Sequence, residues 1–179
     1  RNMIINGGMQ INQRGWTSSA VTDAYTIDRW KVTEQTDGAI TAERSTDAPD
    51  GFANSLKITV TQTDTSLGST QYARVNQQIE GTNIVGLAFG TTSAKTITIS
   101  FQVKSSLTGT FSGCIRAIGA NRSYPFTYAI SSANTWESKS VTITGDTGGS
   151  WDYSTSGGIS LYLTLCSGSA YDAPANAWE

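Results

Sequence analysis

Apolar and polar residues alternate with a period of two along much of this chain, which predicts short β-strands with one buried face. In SLKITVTQT, Leu56, Ile58 and Val60 share a face, with Lys57, Thr59 and Thr61 opposite. In TITISFQVKS, Ile97, Ile99, Phe101 and Val103 point one way, and Thr98, Ser100, Gln102 and Lys104 the other. YPFTYAI groups Tyr124, Phe126, Tyr128 and Ile130, and SVTITG groups Val141 with Ile143. GISLYLTLC sets Ile159, Leu161, Leu163 and Leu165 inward against Ser160, Tyr162, Thr164 and Cys166. Weaker alternation predicts strands in MIING, DRWKVTEQ, AITAERS, YARVNQQI and GTFSGCIRAI.

Between these runs lie STDAPDG, SSLTG, GANRS, GDTGGS and STSGG. Gly, Pro, Asn, Asp and Ser favour turns there through positive φ, fixed φ or local side-chain hydrogen bonds. Helical periodicity is scarce, and IEGTNIVGLAF has room for one short turn. About ten short strands joined by turns predict an all-β protein. The expected architecture is an antiparallel two-sheet β-sandwich of jelly-roll type, with less than about a tenth helix.

Composition narrows the chemistry. The 179 residues suffice for one domain with a substantial core, and the 37% hydrophobic content is patterned rather than diffuse. A charged fraction of 15% and a net charge of −2 leave no basic stripe to neutralise phosphates, so no nucleic-acid partner is expected. No apolar run is long enough for a membrane-spanning helix, and no membrane insertion is expected. There is no histidine. That removes the commonest general acid–base near neutral pH and nearly every zinc or copper site. Two cysteines, Cys114 and Cys166, are too few for a disulfide framework. Both fall in strand-like stretches, leaving a bridge or two partly buried thiols as alternatives.

The acidic residues Asp23, Asp28, Glu34, Glu43, Glu80, Glu137, Asp146 and Asp152 are scattered and form no paired motif. Glycosidase chemistry needs two carboxyls about 5–9.5 Å apart. The chain is therefore read as not an enzyme.

NMIINGGMQINQRG followed by YTIDRW resembles the opening of a β-sandwich domain of tailed-bacteriophage tail-fibre and virion proteins. The likeness continues in order through QQIEG, FGTTSAKTITISFQVKSSLTGTFSG, NRSYPFTYAISSANTWESKSVTITGDTGGSW and GISLYLTLCSGS, nearly the whole chain. It implies a jelly roll like those of carbohydrate-binding modules, spanning residues 1–179 as one domain of a longer chain. A further strand near a GVQLE-type sequence is missing, so the last strand is expected to come from elsewhere or to leave a sheet edge open.

The implied function is attachment of a virion fibre to its host, by binding cell-surface glycan. The alternative is a structural decoration, head-fibre or collar protein with protein-only contacts. Homotrimeric assembly with other virion proteins and a place on the virion surface, after assembly in the host cytoplasm, belong to the same implication. No cofactor is expected beyond a structural calcium ion suggested by the likeness, with Asp28 and Asp50 as ligands and hydrogen bonds alone as the alternative. The sequon at Asn121 is not expected to be glycosylated in a phage-like protein.

Flat aromatic rings cover the apolar faces of sugars while nearby polar groups bond the hydroxyls. Trp30 and Trp136 are expected in the core. The candidate ligand-binding residues are Trp151 and Tyr153 in GGSWDYSTSGG, Tyr162 opposite the leucine face of its strand, and Arg116 in CIRAI. Arg116 must be paired or line a groove if its face is inward, or reach solvent at a strand end. The opening Asn, Gly, Arg and Trp residues either fasten the fold or line a site, the fastening role being favoured.

Overall fold

The computed structural model describes residues 2–119 and 122–179, so the sequon at Asn121 lies outside the described residues. Among the described residues, strand accounts for 44% and helix for 6%, in antiparallel sheets. The elements are β1 (Ser19–Val21), β2 (Asp23–Tyr25), β3 (Lys31–Gln35), β4 (Ala39–Ser45), β5 (Ser55–Gln62) and β6 (Tyr72–Glu80). There follow a four-residue helix α1 (Gly81–Ile84), a 3-10 turn (Val85–Leu87), β7 (Ile97–Val103), β8 (Gly109–Ala117), β9 (Ser123–Ile130), β10 (Glu137–Ile143) and β11 (Gly157–Ser167). Chain contacts group into two compact units. One comprises Asn2–Gln77 with Leu163–Asp172, the other Gln78–Tyr162 with Ala173–Glu179.

In the first unit, β4 pairs with β1 on one side and β5 on the other, while β3 lies between β2 and β6. Inward residues from both sets, among them Val21, Val32, Ile40, Ala42 and Val75, form a core with Ile27 and Trp30. Fully burying a side chain of this size contributes about 1.5–3 kcal/mol. A one-residue slip of β4 would turn Ile40 and Ala42 to solvent, so the hydrophobic pattern itself fixes the register. Trp30 is 5% exposed, as expected of a core residue.

In the second unit, β7 and β10 pair over seven residues, from Ile97↔Ile143 to Val103↔Glu137. β8 pairs with β9. The inward Phe101 of β7 meets Tyr128 of β9 edge-on at 5.0 Å, and Phe111 of β8 stacks on the same ring at 5.9 Å. Gly113 of β8 is required by space: a Cβ there would lie 2.4 Å from the ring of Phe126. The tail covers part of β9, because Glu179 and Ser123 exchange both backbone hydrogen bonds and Asn176 donates to the Pro125 carbonyl.

Several expectations need correction. MIING forms no strand; Asn6 and Met9 both take positive φ in a turn held by side-chain bonds. Val60 keeps its predicted side but is 63% exposed, and Leu165 is 43% exposed. Alternation sets the side, and these strand ends have nothing over them. Ser160 was assigned outward yet is buried, because the stretch from Gly158 to Leu161 is covered on both faces. Trp136 is half-buried rather than core, with the Lys104 ammonium 5.6 Å from its ring centre. β1 and β2, three residues each, are too short to leave an alternation signal. Cys114 and Cys166 are not bridged, and burial pushes the Cys166 thiol pKa up.

Candidate functional site

Part of the opening stretch fastens the fold, and part of it lines a groove. Asn6, at φ 55°, is a fastener. Its side-chain amide donates to the carbonyls of Ile11 (2.8 Å) and Asp28 (3.0 Å), and its Oδ1 accepts the Ile11 N–H at 3.0 Å. Its own carbonyl accepts the indole N–H of Trp30 at 3.0 Å and the Met9 N–H at 3.1 Å. One asparagine therefore ties the opening turn to the core tryptophan.

Residues 12–18 instead build one wall of a groove. Asn12 Oδ1 accepts the Trp16 N–H at 2.9 Å, Asn12 Nδ2 donates to the Trp16 carbonyl at 3.0 Å, and the Gly15 N–H bonds the Asn12 carbonyl at 3.1 Å. Gly15 supplies the positive φ that this closure needs. The closed loop presents Trp16, whose indole N–H bonds the Ala42 carbonyl at 2.9 Å while its ring packs against the core.

The groove arises where β1 begins, at Ser19. β1 pairs with β4 only as far as Ala42, so beyond that point Glu43 and Arg44 face the loop. Asn12, Gly15, Trp16, Thr17, Ser18, Glu43 and Arg44 line an open groove of about 450 Å³. Thr17 and Ser18 are exposed hydroxyls, and Trp16 is half-buried. The Arg44 guanidinium is steadied by an Nη1 bond to the Gln10 carbonyl at 2.9 Å. The Glu43 carboxylate is held by Lys57 at 2.9 Å, and that bond raises the lysine pKa. A flat ring and two hydroxyls on a pre-formed loop, with a guanidinium and one carboxylate on β4, can bond a polar ring-shaped ligand. Glu43 is the one carboxylate among the described residues lining it.

The sequence-predicted residues lie elsewhere. Trp151 is interior, 8% exposed, with its indole N–H shared between Asp146 Oδ2 (3.1 Å) and the Gly148 carbonyl (3.3 Å). Its ring meets Phe89 at 4.8 Å and Trp178 at 5.5 Å. That packing leaves no open ring face for a sugar, because the turn folds the indole onto the buried Asp146. Tyr153 is half-buried and donates its hydroxyl to the Phe89 carbonyl at 2.6 Å, so Phe89 brings these two candidates together. Tyr162 is half-buried on β11. Arg116 is exposed at the end of β8 opposite Ser123, the solvent-reaching alternative.

Asp28 accepts the Gln13 N–H at 2.6 Å, Asp50 is exposed, and no cluster of three or more acidic, cysteine or histidine residues occurs among the described residues. No described helix is long and apolar enough to cross a membrane.

The groove escaped sequence reasoning because its parts come from a loop and a strand that only folding joins. The one signal was NQRGW, a turn-former run ending in an aromatic residue.

No protein-family model and no curated protein matches this chain. Among solved structures, it is similar to the enzymatically active domain of tailspike protein 4 of bacteriophage CBA120, at a TM-score of 0.45 and 16% identity. That similarity covers 93% of this chain and 20% of the other, so the chain spans about a fifth of the length of the structure it is similar to.

Proposed function

We propose that this chain is a jelly-roll sandwich module of a bacteriophage virion fibre that attaches to its host by binding cell-surface glycan. The observation that carries the reading is the groove of Trp16, Thr17, Ser18, Glu43 and Arg44, which sets a half-buried ring beside hydroxyls and charge. The resemblance of the opening and strand motifs to virion proteins supports the setting. Binding proceeds without hydrolysis, since the groove carries one carboxylate and that one is tied to Lys57. Homotrimeric presentation on the virion surface suits such a shallow site, because a second contact on one particle forms at high effective concentration.

The test is adsorption of labelled protein to host cells, comparing the wild type with a Thr17→Ala, Ser18→Ala, Arg44→Gln triple variant. These side chains are exposed, so the melting temperature should hold while adsorption falls. Unchanged adsorption would overturn the reading. It would favour the second one, a decoration protein with protein-only contacts, which rests on the row of hydroxyl and amide side chains across β7 and β10. There Thr98 meets Thr142, Ser100 meets Ser140, and Gln102 donates to Ser138 at 2.7 Å.

A further inference from the structure

We infer that the groove prefers an acidic saccharide, with Arg44 meeting the sugar's carboxylate; this rests on the glycan reading above. The reason is the local charge. Two ionised groups line the groove, Glu43 and Arg44, and they are not equivalent. Glu43 is neutralised from outside the groove: Lys57 sits across from it in the β4–β5 register and binds Glu43 Oε1 at 2.9 Å. Arg44 faces no carboxylate in that lining other than Glu43. Its backbone-carbonyl bond to Gln10 engages Nη1 alone. A guanidinium has five donors in a planar fork, so donors remain to take a carboxylate.

The orientation of the parts fits the same ligand. The Gln10 bond steadies the guanidinium in the same lining as the Trp16 ring and the Thr17 and Ser18 hydroxyls. A sugar ring lying on the indole would have those hydroxyls as bonding partners, and a carboxylate on it would have the guanidinium's remaining donors in the same groove. A neutral sugar uses the ring and hydroxyls but leaves the guanidinium's remaining donors to water. The chain as a whole carries −2, so the preference is local and not a consequence of overall attraction to anions.

The experiment is a glycan array of the intact protein, with uronate-bearing, sialate-bearing and neutral glycans printed at equal density. Carboxylate-bearing spots should bind most strongly and should weaken as salt rises from about 0.05 to 0.5 M, because exposed ion pairs are screened. Arg44→Gln should lower binding to those spots about fivefold more than it lowers binding to neutral spots, and Arg44→Lys should recover part of that difference. Lys57→Gln, outside the groove, should also lower acidic-spot binding by releasing the Glu43 charge. A neutral preference, or an acidic preference that survives Arg44→Gln, would overturn this inference and leave the glycan reading standing. Binding to no spot would overturn both.

Discussion

The guanidinium of Arg122 grips the carboxylate of Asp146 through two parallel hydrogen bonds, Nε to Oδ2 at 2.9 Å and Nη2 to Oδ1 at 2.6 Å. Asp146 is 2% exposed and also accepts the Gly148 N–H and the Trp151 indole N–H. Burial pushes its pKa upward, but the Arg122, Gly148 and Trp151 hydrogen bonds outweigh burial and hold it below the usual aspartate value. A depressed carboxylate contributes stability above its unfolded pKa of about 3.9 and loses it as pH falls through the folded value. Urea unfolding of the wild type should therefore weaken below about pH 4. The difference between wild type and Asp146→Asn should be largest at neutral pH and shrink toward pH 2. A difference independent of pH would show that the carboxylate's charge contributes nothing.

Trp178 closes the aromatic cluster from the tail. Its ring meets Tyr124 at 5.3 Å, Trp151 at 5.5 Å and Phe89 at 5.7 Å, and its N–H bonds the Thr144 carbonyl at 2.8 Å. Trp178→Ala should cost about 2–3 kcal/mol, less than a fully buried tryptophan because the residue is half-buried. Amide exchange at Ser123, whose N–H bonds the Glu179 carbonyl, should accelerate in the same variant. Retained protection there would separate the ring from the strap.

Ser160 is fully buried, and its hydroxyl has no hydrogen-bond partner among the described residues. A buried unpaired hydroxyl costs about 1–3 kcal/mol. Ser160→Ala should raise the urea midpoint by an amount worth about 1 kcal/mol, with the m-value unchanged. A fall in the midpoint would mean that the hydroxyl is satisfied in solution.

Asn6 separates two effects that one substitution usually confounds. Asn6→Gly removes the side-chain bonds to Ile11 and Asp28 but tolerates φ 55°, whereas Asn6→Ala loses the bonds and adds backbone strain. Both should destabilise, with alanine worse by about 1 kcal/mol in thermal or urea unfolding. Equal losses would show that the turn relaxes out of its positive φ.

Alternation alone determined the strand class and the facing of residues. Phe126 and Ile130 are buried, while Thr98, Ser100 and Gln102 are exposed on the face assigned to them. The period of the β-strand is a local property of the backbone, so a local pattern reports it. Coverage is not local. Val60 and Ser160 obey the same alternation, yet Val60 is exposed and Ser160 buried, a difference that the alternation does not carry.

The same physics decided the sites. NQRGW could be seen as a turn, but the groove exists because β1 stops pairing at Ala42 and leaves Glu43 and Arg44 beside that turn. GGSW looked like an exposed aromatic loop until Asp146 and Arg122, 24 residues apart, drew its indole inward. Sequence determined which residues were pointed, and tertiary packing decided which of them stayed open to a ligand. A side chain's availability depends on whether a distant partner has already taken its ring face and its hydrogen bonds.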